Sequence, residues 1–214
     1  VRAGYKETER IMQRRSHYRV GIFVFEQMEV LDFAGPFEVF TTAARVRARQ
    51  DPDTPPLFTV RLLGETTSVR ARAGLLVHTD GDLDEGDQLD LLIVPGGVVN
   101  EEMDKPHIIQ WIQNAPPHCL VASVCTGAFL MARAGLLDNA RATTHWEDIA
   151  DLRQQFPQVT VVSDQRWVDE GRVVSSAGIS AGIDMSLHLV ERLAGRELAM
   201  ATARQMEFDW TEAD

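Results

Sequence analysis

Residues Cys119 to Leu130 read C-L-V-A-S-V-C-T-G-A-F-L, and their reading decides the fold. Leu120 to Val124 is an apolar and small run of the kind that a strand buried on both faces needs. It runs straight into Cys125, and Thr126, Gly127 and Ala128 open a helix expected to continue to Leu137. Ser123 and Gly127 flank the cysteine at two residues on either side, where a sharp strand-to-helix elbow tolerates only small side chains. A thiol at such an elbow sits at a helix N-terminus, where unpaired N–H groups and the dipole favour thiolate. In an open parallel sheet this is also the carboxyl edge, where ligands bind. A free cysteine is often an inert core residue. The elbow favours a reactive Cys125 instead.

Working outward, Arg19 to Phe25 (R-V-G-I-F-V-F) predicts a buried strand, and Gly35-Pro36 is expected to open a helix through Phe40 and Ala44. Phe58 to Leu63 predicts a second strand, and Leu75 to His78 a short one paired with Ser68 to Arg70. Leu89 to Val94 predicts a core strand ending at Pro95-Gly96-Gly97, with a helix over Ile108 to Gln113 before the elbow. Beyond it, Arg141 to Thr144 is extended, Trp146 to Phe156 helical and Val159 to Ser163 a strand. Trp167 to Val174 reads as a hairpin around Asp169-Glu170-Gly171, and helices follow over Ala181 to Ala194 and Glu197 to Met206. Strands alternating with helices imply an α/β fold, a mostly parallel sheet with helices on both faces. Residues 1–17 are polar and read as an extension to a single domain over 18–214.

Composition narrows the function. A chain of 214 residues with 44% apolar and 25% charged residues is long enough to bury a substantial core. Its net charge of −11 makes phosphate backbones poor partners. The basic cluster Arg45, Arg47 and Arg49 reads as the solvated end of a helix, and Arg10, Arg14 and Arg15 as part of the tail. No apolar stretch is long enough to span a bilayer, and no leader segment is evident, so a cytoplasmic protein is expected. Two cysteines are too few for the usual zinc cage, and reduced thiols are expected. Neither a phosphate-binding glycine loop nor a metal cluster is present, so no cofactor is implied.

Pro95-Gly96-Gly97 ends the strand expected beside the elbow. There the Gly97 N–H, with that of Thr126, would make a two-donor pocket for developing negative charge. These motifs resemble the ThiJ/PfpI superfamily, which shares the flavodoxin-like, class I glutamine amidotransferase-like fold. The resemblance rests on V-G-I-F-V-F, L-D-F-A-G-P-F-E-V-F, L-L-I-V-P-G-G, S-V-C-T-G-A-F-L-M-A-R-A-G-L-L, A-T-T-H-W and G-R-V-V-S-S-A-G-I-S-A-G-I-D, and spans about Tyr18 to Trp210.

Departures from pattern sort the subfamilies. Amidotransferases of this fold carry a late His-x-Glu pair, whereas Ser175 to Ser180 holds no histidine and His188 lies inside a helix. Peptidases and deglycases of the superfamily place histidine after the cysteine and glutamate near the end of the first strand. Here Thr126 and Asp32 stand in those places. Cysteine-threonine with an aspartate after the first strand is similar to the isonitrile hydratases and to the sensor domains of AraC-type regulators. Those regulators continue into a helix-turn-helix module, which is not expected after Trp210.

The resemblance implies catalysis by Cys125 and Asp32: thiolate attack on the isonitrile carbon, protonation by Asp32, then hydrolysis of the thioimidate to an N-formamide. The acid role requires a raised Asp32 pKa. Asp32 also reads as a cap for the helix expected at Gly35, and Glu29 is a second candidate acid. Gly96, His145 and Gly178 are expected to line the pocket, although His145 beside Trp146 suits packing as well as chemistry. A small-molecule substrate or ligand and a homodimer are the partners implied. Two other classes fit the same site: a non-catalytic ligand or redox sensor, and a glyoxalase-type hydrolase or lyase.

Overall fold

The computed structural model describes residues 15–211, so most of the expected N-terminal extension, Arg10 and Arg14 included, lies outside the described residues. Four apolar segments make the centre of the fold. These are β1 (Tyr18–Phe23), β5 (Leu91–Val94), β6 (Leu120–Val124) and β10 (Val173–Ser176). Every residue of β5, β6 and β10 is buried. Because side chains alternate across a strand, burial of every position requires cover on both faces of the sheet. With β2 (Phe58–Leu63) and β9 (Trp167–Asp169) these strands form one sheet in the order β2-β1-β5-β6-β10-β9. All pairs are parallel except β9 with β10. That last pair is the expected hairpin, turned at Gly171 with φ of 88°.

Helices α1 (Val30–Gln50), α6 (Ala181–Ala194) and α7 (Arg196–Gln205) pack on one another as one group. A second group comprises α2 (Asn100–Met103), α3 (Pro106–Gln113) and α4 (Gly127–Arg133). The remaining helix, α5 (Ile149–Gln155), follows a 3-10 turn over Trp146–Asp148, so the helix expected from Trp146 begins three residues late. The short strands β3 (Ser68–Arg70) and β4 (Leu76–His78) pair antiparallel as expected. β7 (Arg141–Ala142) and β8 (Thr160–Val161) make a separate parallel pair. The basic cluster closes α1, where Arg45 bonds Glu38 and Arg49 bonds Gln205, while Arg15 is held by Asp90. Among the described residues, no helix is long and apolar enough to cross a membrane.

One boundary bears on the site. α1 begins at Val30 rather than at Gly35-Pro36, with Glu29 as its cap, its carboxylate accepting from the Val30 N–H at 3.2 Å. Pro36 therefore lies inside the helix, where it removes one backbone bond. Packing overrides that cost, because Phe33, Val39, Phe40 and Ala43 are all buried along the same helix. Asp32 is thus neither a loop residue nor a cap. It belongs to the first turn of α1 and is completely buried.

The chain reverses its direction of travel across the sheet between β1 and β5, the switch point where open α/β sheets bind ligands. The elbow after β6 stands next to it. Its tightness comes from Gly127, where a Cβ would lie 2.1 Å from the Val94 carbonyl oxygen. Gly127→Ala should therefore lower the urea midpoint, a loss of about 1–3 kcal/mol, although the same change in an open helix stabilises. A variant as stable as wild type would show that the elbow has room.

Candidate functional site

Cys125 occupies the left-handed region at φ 55°, which a residue with a Cβ adopts only under constraint. The constraints are visible. Its N–H donates to the Ser176 and Ala177 carbonyls at 3.2 and 3.4 Å, and its carbonyl accepts from Thr144 Oγ1 at 2.8 Å. These bonds turn the side chain out of the sheet plane into a cavity of about 310 Å³, lined among others by Gly97, Thr126, His145 and Ile179. The residue is only 7% exposed.

Asp32 reaches the thiol from α1. Its Oδ2 accepts the Gly96 N–H at 3.0 Å, and Oδ1, also buried, has no partner within the protein. The loop before α1 is strapped to the same turn: Glu29 N–H donates to the Gly96 carbonyl at 2.8 Å, and Val98 N–H to the Gln27 carbonyl at 3.1 Å. Burial pushes the Asp32 carboxyl up to about 7; the Gly96 bond restrains the rise, and Glu29 adds to it. The elevation required of an acid at that position is present.

The thiol behaves otherwise than the elbow alone suggested. Burial pushes Cys125 up to about 12, with the Asp32 carboxylate as the next cause, and the Thr126 N–H and hydroxyl only partly oppose them. Burial thus acts against the thiolate that the helix N-terminus favours. α4 supplies little compensation, being only seven residues long, while desolvation penalises the charged sulfur in full. At neutral pH the site holds a thiol beside a carboxyl that is poised to gain or lose a proton.

The two-donor pocket is also rearranged. Gly97 N–H donates to Thr126 Oγ1 at 2.8 Å, and that hydroxyl donates to the Gly97 carbonyl at 2.9 Å. Gly97 is therefore engaged in clamping the two turns together, and the groups left facing the sulfur belong to Thr126. Gly96 serves through its N–H to Asp32.

His145 lines the cavity, but its Nδ1 caps the 3-10 turn by accepting the Glu147 N–H at 3.4 Å, and it lies 3.6 Å from each of the Glu147 and Asp148 carboxylates. Gly178 is pressed against the ring, since a Cβ there would sit 2.0 Å from His145 Cδ2. His188 points elsewhere, to Asp169 at 2.7 Å, and Asp169 is also bound by Arg192 at 2.8 Å.

Four lining residues escaped the sequence reading: Arg72, Glu147, Asp148 and Ile179. Glu147 and Asp148 adjoin the A-T-T-H-W motif, so proximity in sequence could have found them. Arg72, 3.5 Å from Glu29, arrives from the β3–β4 hairpin and carries no local signal. Among the described residues there is no cluster of three or more histidine, cysteine or acidic side chains placed to hold a metal.

With this geometry in view, the relatives are informative. An isonitrile hydratase from Pseudomonas putida is 29% identical over 192 residues, 89% of this chain and 78% of that protein. The HTH-type transcriptional regulator GbdR from Pseudomonas aeruginosa is 29% identical over 199 residues, 92% of this chain but 52% of the regulator. The chain thus spans about half the length of that relative. Among solved structures, a ThiJ/PfpI family protein from Pseudomonas syringae superposes with a TM-score of 0.77 at 22% identity, covering 92% of this chain and 77% of that one. An AraC family transcriptional regulator structure from Pseudomonas putida superposes with a TM-score of 0.74 at 24% identity, covering 88% of this chain and 99% of that one. The profile of the DJ-1/PfpI family matches residues 18–192, and the chain belongs to that family.

Proposed function

We propose that Cys125 and Asp32 catalyse cysteine-dependent hydration of an isonitrile to an N-substituted formamide. One observation carries this reading: a completely buried carboxyl, raised to about 7, stands against the thiol at the mouth of a strained elbow. Histidine-based activation has weaker support, because His145 is tied into a cap and His188 is paired with Asp169. The similarity to an isonitrile hydratase points the same way.

The chemistry suits a neutral thiol. In the first step the sulfur bonds to the terminal carbon of R–N≡C. Asp32 delivers its proton to that carbon, and the resulting carboxylate recovers the proton of the thiol. The product is the thioimidate R–N=CH–S–Cys125, with Asp32 again protonated. In the second step water adds to the imidate carbon, one of its protons passing to nitrogen; the C–S bond then breaks and the other proton passes to sulfur. R–NH–CHO leaves, and the sum is isonitrile plus water. Asp32 Oδ2 is held as an acceptor by Gly96, so Oδ1 is the oxygen that carries the proton. The Thr126 N–H faces the sulfur and steadies the charge it gains when the C–S bond breaks.

A ligand-sensing role is the second reading. It is favoured by the regulators that match nearly the whole of this chain with about half of their own length. A redox version of that role is disfavoured, because the thiolate is the oxidisable form and burial suppresses it here.

Absorbance-monitored hydration of an aryl isonitrile should be lost in Cys125→Ala and reduced by about 10²–10⁴-fold in Asp32→Asn. A well-folded wild type without turnover would move the assignment to the sensor. The pH profile follows from the acid: kcat/KM should fall as pH rises through about 7, where Asp32 loses its proton. A rate that climbs to pH 10 instead would mark free thiolate as the attacking species.

Stability gives an independent check. Between the ordinary 3.8 and about 7, the folded state retains the Asp32 proton that the unfolded chain has released. This group's contribution to stability therefore declines as pH rises across that window and levels off above it. Asp32→Asn should gain stability relative to wild type over the same interval in thermal melts. A difference independent of pH would show that Asp32 titrates normally.

A further inference from the structure

A second cavity adjoins the first. It measures about 910 Å³ and is lined by residues that include Trp146, Ile149, Ala177, Gly178 and Arg166. His145 and Ile179 line both cavities and form the wall between them. We infer that this larger cavity is the recognition subsite for the non-reacting group of the molecule handled at Cys125, and that it takes an uncharged apolar substituent, aryl or branched alkyl. The inference rests on the reading of the Cys125 cavity as the reactive site.

Three observations bear it. Ile179 lies at φ 48°, a left-handed conformation that is unusual for a β-branched side chain and persists only where the surroundings enforce it. It is 38% exposed, so core packing does not account for the strain; holding a side chain at the junction of the two cavities does. Trp146 is 76% exposed, an indole on the cavity wall that the chain itself leaves in water. Its neighbour His145 is fixed between the indole, with ring centroids 5.7 Å apart, and the backbone at Gly178, so the wall is preformed.

Charge then selects the class. The cation on the wall, Arg166, is bound to the buried Asp184 carboxylate and to Ser180 Oγ at 3.4 Å. Arg72, at the smaller cavity, lies beside Glu29. Glu147 and Asp148 at the smaller cavity and Asp164 at the larger add negative charge, so a carboxylate-bearing substituent would be repelled. Apolar groups from Trp146, Ile149 and Ile179 share the lining with hydroxyls such as those of Thr143, Thr144 and Ser163, and a cavity of this size and mixture suits a small-molecule subsite.

The test should not depend on hydration. Cys125 is labelled with N-ethylmaleimide, N-benzylmaleimide and a maleimide bearing a carboxyalkyl group, with the adduct at Cys125 followed by mass spectrometry. The benzyl reagent should react faster than the ethyl one and the carboxylate slowest. The benzyl-to-ethyl ratio should fall about tenfold in Trp146→Ala and also in Ile179→Gly, a change that relieves the backbone strain while removing the wall. The rates are read relative to one another, because burial of the thiol slows every reagent alike; side-group preference identical in wild type and both variants overturns the inference. So does a Trp146→Ala chain that changes from dimer to monomer on size exclusion with its preference intact, for the cavity is then an interface between copies. Selective labelling without isonitrile turnover would sink the proposed reaction and leave this subsite standing; turnover without selectivity would do the reverse.

Discussion

The structure depends on the left-handed backbone at Cys125. Holding a residue with a Cβ at φ 55° costs about 1–3 kcal/mol, and the protein meets that cost with bonds from three separate segments. β10 and the residue after it receive the Cys125 N–H, Thr144 holds its carbonyl, and the hydroxyl of Thr126 clamps the following turn to Gly97. Each of these partners stands at the carboxyl end of a strand or just beyond it. The sheet order brings the ends of β5 and β10 within bonding distance of the elbow that closes β6, and the segment after β7 adds Thr144.

The same geometry decides the proton inventory. An elbow exposed to water at a long helix would favour thiolate, but this one is roofed by the first turn of α1 and buried. The desolvation that raises Asp32 also raises Cys125; the Asp32 charge pushes the thiol up further, while the hydrogen bond from Cys125 pulls Asp32 slightly down. The stable arrangement near neutrality has one proton on sulfur and a second shared in time with the carboxyl. On the proposed reading, a thiol beside a carboxyl that holds its proton part of the time suits a substrate that must gain a proton at the carbon where it gains sulfur. The pair suits poorly a reaction whose rate depends on standing thiolate.

How much of this was legible in sequence follows from the range of each interaction. The elbow, the core strands and the hairpin at Gly171 are written in local patterns, and they fall within a few residues of where those patterns put them. The start of α1 was misplaced because Gly35-Pro36 is a strong local signal that burial of Phe33, Val39 and Phe40 overrides. That difference has a consequence: Asp32 reads from sequence as a residue ahead of the helix, when its position in the first helical turn is what buries it. Gly97 was assigned a free N–H because nothing in P-G-G reveals that the hydroxyl of a residue 29 positions away will accept it. The thiol pKa was missed for the same reason, since local sequence announces a helix N-terminus but not the packing above it.

Ile179 and Trp146 show the limit most clearly. An isoleucine between glycine and serine carries no sign that its φ will be positive, and a tryptophan after A-T-T-H reads as packing. Both are explained only once the two cavities are seen to share a wall. Relatives that match most of this chain are named as an enzyme and as a regulator. One fold can serve both kinds of protein, because function rests on the side chains that line the space beside the turn rather than on the turn itself.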